Sequence, residues 1–143
     1  MLLGLPPLLS PDLLYALRAM GHGDEIVIVD ANFPAECKAE FLVRLDGVTA
    51  TDTLEAILQV LPLDTFDPAP ALTMEVVGDP DNTPPIVSEF QEIIEQTADT
   101  PAIITPLERY VFYSRAERAF AIVQTGETRL YGNIILKKGV VAP

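Results

Sequence analysis

The chain has almost no cysteine: Cys37 stands alone among 143 residues. It forms no internal disulfide, which fits a reducing compartment. A nucleophilic thiol needs an activating group beside it. No signal in the sequence supplies one, so Cys37 reads as a structural or incidental thiol. Histidine is equally scarce, with His22 the only one. One cysteine and one histidine make no Cys/His metal set. A phosphate-binding glycine loop and a nucleophile elbow are missing too. Basic residues are few: 9 Lys and Arg against 21 Asp and Glu, for a formal net charge of −12. A general nucleic-acid binder needs the opposite balance, and anionic ligands are repelled on average, so a neutral ligand is easier to accept. No apolar run approaches the length of a membrane span. The leucine-rich start, Met1 to Leu17, lacks a basic n-region, and Pro6, Pro7, Pro11 and Asp12 interrupt it. It reads as an apolar lead-in packed on the domain or on a neighbouring subunit, not as a signal peptide or anchor. Together these absences predict a cytoplasmic protein with no nucleic-acid and no membrane partner.

What remains is an acidic chain that is 49% apolar, too apolar for disorder and long enough for a real core. No repeat, linker or low-complexity tract divides it, so residues 1–143 are expected to form one domain. Ser10-Pro11 opens a helix, with a hydroxyl N-cap and proline in the first turn. Leu13, Leu14, Leu17 and Met20 give its apolar stripe, and Gly21 and Gly23 end it. Ile26–Val29 is a continuous apolar run, as in a strand covered on both faces. Further strands are expected at Phe41–Leu45, Leu72–Val77, Ile103–Ile104, Phe120–Val123 and Ile134–Lys137. Asp52 and Glu55 stand at capping-box spacing before a helix that Pro62 stops, and Pro85–Thr97 is amphipathic. Thr105-Pro106-Leu107-Glu108 reads as another capping box, opening a helix that runs to about Glu117. Strands alternating with helices predict a three-layer α/β/α sandwich around a mixed, mostly parallel sheet of about six strands. The last two strands are close enough in sequence to pair antiparallel.

Polar residues cluster where these elements end. Gly21-His22-Gly23-Asp24-Glu25 precedes one strand and Asp30 follows it. Thr125-Gly126-Glu127 and Tyr131-Gly132-Asn133 lie between the last two strands. Strand ends are where ligand sites form. An imidazole titrates near pH 6.5 and moves protons near neutrality. At a helix C-terminus His22 is also what a simple cap would use, while the flanking glycines clear space for a ligand. Tyr131 and Asn133 are two apart, and in an extended chain they share a face. A phenol and an amide there can donate to and accept from sugar hydroxyls, although a strand-edge tyrosine beside a turn asparagine explains them as well. Arg109 falls in a first helical turn, which disfavours cations. Such a placement hints at function, with a surface salt bridge as the plain alternative. Asp30 fits either a ligand contact or an Asx-turn.

His22 and Asp30 bracket a strand of about five residues, which at roughly 3.3 Å per residue puts them some 15–25 Å apart. A monosaccharide is smaller than that. If both touch one ligand, one of them comes from a neighbouring subunit, and the site is shared in a symmetric homo-oligomer.

These residues, with Met20 to Ile26, Asp30 to Ala35, Glu108 to Tyr113 and Phe120 to Val140, resemble the RbsD/FucU family of sugar mutarotases. The FucU branch is nearest. The resemblance implies interconversion of the α and β anomers of L-fucose, an isomerase reaction with no cofactor and no metal. It implies His22 as general acid/base; the chemistry needs a second proton-transfer group, and Tyr131, whose phenol is a better donor than base at neutral pH, is the candidate. Asp30, Arg109, Tyr131, Gly132 and Asn133 would contact the sugar. It also implies ring-like decamers with sites between subunits, and the three-layer fold above. The ribose-acting branch has histidine where Arg109 stands and alanine where Gly132 stands, so this chain sides with the fucose branch. The competing readings are a D-ribose pyranase and a non-catalytic sugar-binding or regulatory oligomer.

Overall fold

Apolar strands and capped helices alternate along the chain, and a computed structural model describes residues 1–143. In chain order the elements are α1 (Pro11–Ala19), β1 (Glu25–Val29), α2 (Ala35–Lys38), β2 (Leu42–Leu45), α3 (Ala50–Leu58) and β3 (Ala71–Met74). They continue with α4 (Pro85–Thr97), β4 (Thr105–Leu107), α5 (Arg109–Arg118), β5 (Ala121–Thr125) and β6 (Ile134–Lys137). The six strands form one sheet in the order β2-β5-β1-β6-β3-β4. β6 runs antiparallel to both its neighbours, β1 and β3. The other three pairings are parallel. Five strands therefore end at one edge of the sheet, and β6 begins there.

Alternation along β1 shows the three layers. Ile26 and Ile28 join the larger core, with residues of α1, α3 and α4. Val27 and Val29 join the smaller core, with Phe33, Ala35 of α2 and Phe112 and Ala116 of α5. All four side chains are fully buried, which suits a strand covered on both sides. Phe112 is also fully buried. Truncating such a phenylalanine costs about 3–5 kcal/mol, so Phe112 locks α5, and with it Arg109, onto the sheet. Leu9 is buried, and Leu5, Leu8 and Leu14 pack on the larger core, while Met1, Leu2 and Leu3 are exposed. Part of the apolar lead-in thus packs on its own domain.

Several boundaries differ from expectation. Thr105-Pro106-Leu107 is not a capping box but the edge strand β4, paired parallel with β3. An edge strand tolerates proline, and β3 gains its outer partner from it. The expected strand at Ile103–Ile104 lies two residues further on. α5 instead starts at Arg109, and Glu108 caps it by accepting from the N–H groups of Tyr110 and Val111 at 2.9 and 3.1 Å. The third helix is capped by Thr49, whose hydroxyl accepts from the Asp52 N–H, not by Asp52 itself. The third strand stops at Met74, short of Val77, and α2 adds a short helix where only a turn was expected.

Candidate active site

At the edge where the five parallel strands end, Asp30 follows β1 and is nearly fully buried. Asn133, the residue before β6, clips onto it from the adjacent strand. The Asp30 backbone N–H donates to Asn133 Oδ1 at 2.8 Å, and Asn133 Nδ2 donates to Asp30 Oδ2 at 3.1 Å. Asp30 Oδ1 accepts from the Asn32 N–H at 2.9 Å, so the Asx-turn is present as well. Gln124 braces the turn from β5, donating through Nε2 to the Asp30 carbonyl at 2.7 Å. Thr125 donates its hydroxyl proton to the Val29 carbonyl at 2.7 Å. Burial pushes the Asp30 carboxyl above its ordinary value of 3.8, and the hydrogen bonds from Asn32, Asn133 and Phe33 only partly oppose it.

Tyr131 and Gly132 reach the same edge differently from expectation. Tyr131 is not in extended chain. Its φ is +63°, in the left-handed region, and β6 begins only at Ile134. Tyr131 and Asn133 therefore do not share a strand face. The tight turn aims the phenol toward the loop after β3, where Tyr131 Oη accepts from the Val77 N–H at 3.1 Å. Arg109 comes to the same loop from the start of α5. A pocket of about 240 Å³ is lined by Val77, Gly78, Glu108, Arg109 and Tyr110. The Arg109 guanidinium lies 4.7 Å from the Tyr110 ring centroid and donates to its hydroxyl at 2.7 Å. Gly132 is buried in the turn, and a Cβ there would stand 2.9 Å from both Glu127 Cγ and Ile86 Cδ1. A side chain there would force Glu127 or Ile86 to shift.

His22 lies at the opposite edge, in the turn before β1. Its Nε2 stands 2.9 Å from Asp64 Oδ1, and its ring packs 5.1 Å from that of Phe66. The imidazole is half-exposed while Asp64 is buried. Asp64 also accepts from the N–H groups of Phe66 and Asp67, at 3.3 and 3.1 Å. Burial on its own would raise the Asp64 carboxyl, but the His22 hydrogen bond and the two backbone N–H groups outweigh it and hold the group below 3.8. Facing a carboxylate, Nε2 carries the proton of the neutral ring, which leaves the Nδ1 lone pair free.

The structure thus brings Asp30, Tyr131, Gly132, Asn133 and Arg109 to one edge and leaves His22 at the other. The five residues of β1 lie between, roughly 17 Å at 3.3 Å per residue. One monosaccharide cannot touch both within a protomer. A larger concavity, about 530 Å³, belongs to neither group. It lies between α4 and the β3–β4 border, lined by Glu75, Asn82, Ser88, Gln91 and Glu92 among others. Asp64, Gln124 and Glu127 were not singled out as site residues. Gln124 and Glu127 carry a weak signal, as polar residues closing an apolar strand. Asp64 carries none, since its partner is 42 residues away. No His, Cys, Asp and Glu side chains gather in threes that could hold a metal ion.

The chain matches the RbsD / FucU transport protein family over residues 3–141. It is 48% identical over 145 residues to the fucose mutarotase of Homo sapiens, covering 97% of this chain and 94% of that protein. Identity to the L-fucose mutarotase of Haemophilus influenzae strain 86-028NP is 44% over 140 residues, covering 98% and 97% of the two chains. The crystal structure of the fucose mutarotase from Streptococcus pneumoniae in complex with L-fucose is similar with a TM-score of 0.92 at 47% identity, covering 99% of this chain and 100% of that one. Bacillus subtilis RbsD complexed with D-ribose shares the fold, with a TM-score of 0.72 at 21% identity over 94% of this chain and 95% of that one.

Proposed function

The chain belongs to the RbsD / FucU family, and on that premise we propose that it is a mutarotase that converts free L-fucose between its α and β anomers by acid–base ring opening and closure. One observation carries the reading: 47% identity, across 99% of the chain, to a protein crystallised with L-fucose. Arg109 and Gly132, the residues of the fucose branch, favour L-fucose over D-ribose. A neutral sugar also suits a protein of net charge −12.

Ring opening moves two protons. O1 loses its proton and forms the C1=O1 carbonyl as the bond from C1 to the ring oxygen breaks, and that oxygen gains a proton. Rotation about C1–C2 and closure on the other face complete the exchange. The work is paired proton transfer between positioned groups, with no net redox change. His22, with Nε2 turned to Asp64, offers Nδ1 to the O1 proton. Tyr131 accepts from the Val77 N–H, so its own phenolic proton is free for the ring oxygen. An ordinary phenol is a better donor than base at neutral pH. Asp30, Arg109, Gly132 and Asn133 hold the remaining hydroxyls. Because Asn133 spends one donor and one acceptor on Asp30, these two recognise the sugar as a unit.

The separation of the two edges supports a site shared between subunits, in which His22 of one protomer serves the Asp30–Tyr131 edge of its neighbour in a closed homo-oligomer, a decamer by family resemblance. A cytoplasmic location fits the single, exposed thiol of Cys37. No helix is long and apolar enough to cross a membrane.

Exchange NMR on L-fucose, D-ribose and D-galactose tests the assignment. The expected result is anomer exchange accelerated most on L-fucose. Sugar signals that broaden without faster exchange would mark a binder and end the reading. Faster pyranose–furanose exchange confined to D-ribose would reassign the substrate.

A further inference from the structure

Thr125-Gly126-Glu127 stands out in the sequence, yet the proton-transfer scheme gives Glu127 no part. Its carboxylate is almost completely buried. Three donors from Arg129 converge on it: the backbone N–H at 3.1 Å, Nε at 3.0 Å and Nη2 at 3.2 Å. The half-exposed Arg129 is held in turn by Glu89. The Arg129 contacts, opposed by burial and helped by the Ala50 N–H at the start of α3, hold the Glu127 carboxyl below its ordinary value. Glu127 is therefore a fixed anion with a cation folded over it.

The loop from Thr128 to Gly132 wraps around this carboxylate. The absent Cβ of Gly132 would stand 2.9 Å from Glu127 Cγ, so the backbone of the Tyr131-Gly132 turn rests on that side chain. The main chain of Glu127 reaches the other half of the site. Its carbonyl accepts from the Ala31 N–H at 2.8 Å, next to Asp30. Its N–H donates to Thr125 Oγ1 at 3.2 Å, and that hydroxyl donates to the Val29 carbonyl. One residue thus touches both the Asp30 turn and the Tyr131-Gly132-Asn133 turn.

We infer that Glu127, clamped by Arg129, is a positioning residue that sets the spacing between Asp30 and the Tyr131-Gly132-Asn133 turn, and through it the fit of the sugar. The inference rests on the mutarotase reading for its substrate. It assigns Glu127 no contact with the reacting atoms; its effect falls mainly on KM, with a smaller effect on kcat through the Tyr131 that the turn carries.

The test uses the full chain with Glu127→Gln, Arg129→Gln and the double variant, and measures L-fucose anomer exchange against concentration together with amide hydrogen exchange of the sugar-free protein. Each single variant is expected to raise KM about tenfold, the scale of one charge-assisted hydrogen bond, with kcat changed less than about threefold. The double variant should be no worse than either single one, because both break the same clamp. Amide exchange should quicken in residues 30–33 and 128–133 and at Ala50, whose N–H meets the carboxylate, and nowhere else. Arg129→Gln alters only a half-exposed side chain, so it carries the test if Glu127→Gln fails to fold. An unchanged KM in a folded variant, single effects that multiply to about a hundredfold, or a loss confined to kcat would each overturn the inference. Wild-type protein that does not accelerate L-fucose anomer exchange overturns the mutarotase reading instead. The clamp is then decided by amide exchange, and unaltered rates in both segments overturn it.

Discussion

Asp30 and Asp64 are buried to the same degree, at 4% and 5% exposure, near opposite edges of one sheet, yet their carboxyls shift in opposite directions. Asp30 meets only neutral partners: the N–H groups of Asn32, Phe33 and Gly132 and the Asn133 amide. Desolvation wins there and the proton is held more tightly. Asp64 meets an imidazole and two backbone N–H groups, which together outweigh its own desolvation. Similar exposure does not decide what a carboxylate does; the depth of its surroundings and its partners together decide. The Asp30 edge is a closed hydrogen-bonded frame that can recognise hydroxyls. The Asp64 edge keeps an anion behind a half-exposed imidazole, which is what a proton carrier needs.

That contrast predicts unequal losses. His22→Ala should lower kcat for anomer exchange by roughly 10²–10⁴-fold while the Asp30 edge still binds sugar. Saturation-transfer NMR reads the rate and titration of the sugar signals reads binding. Near-normal exchange would remove His22 from the mechanism and break the division of labour. In the proposed shared site the two edges come from different protomers, so mixing unfolded His22→Ala and Tyr131→Phe chains and refolding them together should recover exchange that neither shows alone. No recovery, with mixed oligomers verified by mass, would place both groups in one protomer's site.

Asp30→Asn should do less, and differently. An asparagine cannot accept from both Asn32 and Asn133, because one of its two side-chain positions becomes a donor. Losing a buried hydrogen bond to a charged or polar group costs about 1.5–3 kcal/mol, or roughly 10–100-fold in affinity. The loss should fall on KM, the reverse of His22→Ala. A fall in kcat at constant KM would put Asp30 in the proton path.

The two edges were unequally legible in the sequence, for physical reasons. Pro85–Thr97 is bounded as its proline and apolar stripe predict, and Ile26–Val29 announces a doubly covered strand, because local patterning and burial agree there. Asp30, Asn133 and Gly132 were legible because polar and glycine residues interrupt apolar runs. The orientation of Tyr131 was not: a left-handed tyrosine is set by the Glu127 side chain beneath Gly132 and by Val77, 54 residues away. Thr105-Pro106-Leu107 satisfies a helix-start rule, but the bare edge of β3 takes it as a strand. Asp64 was hidden altogether, because an Asp in a proline-flanked loop looks like any other until the turn before β1 brings His22 to it.

The smallest expected effect is on stability, and here the two aspartates should differ in sign. The Asp64 carboxyl sits below 3.8 in the folded chain, so its ionised form favours folding. That contribution is present above pH ~3.8 and is lost as pH falls through the folded value. The Asp30 carboxyl sits above 3.8, so its ionisation opposes folding. Its cost is absent below ~3.8 and grows as pH rises through the raised folded value. Asp64→Asn should therefore lower Tm at neutral pH, with the deficit closing as pH falls below about 4. Asp30→Asn carries the penalty of its lost hydrogen bond at every pH, but its Tm relative to wild type should improve from pH 4 upward. Calorimetry from pH 3 to 7 on both variants reads the two slopes against the parent. Slopes of the same sign would mean that partners do not set these carboxyls apart, and the contrast between the edges would reduce to where His22 happens to lie.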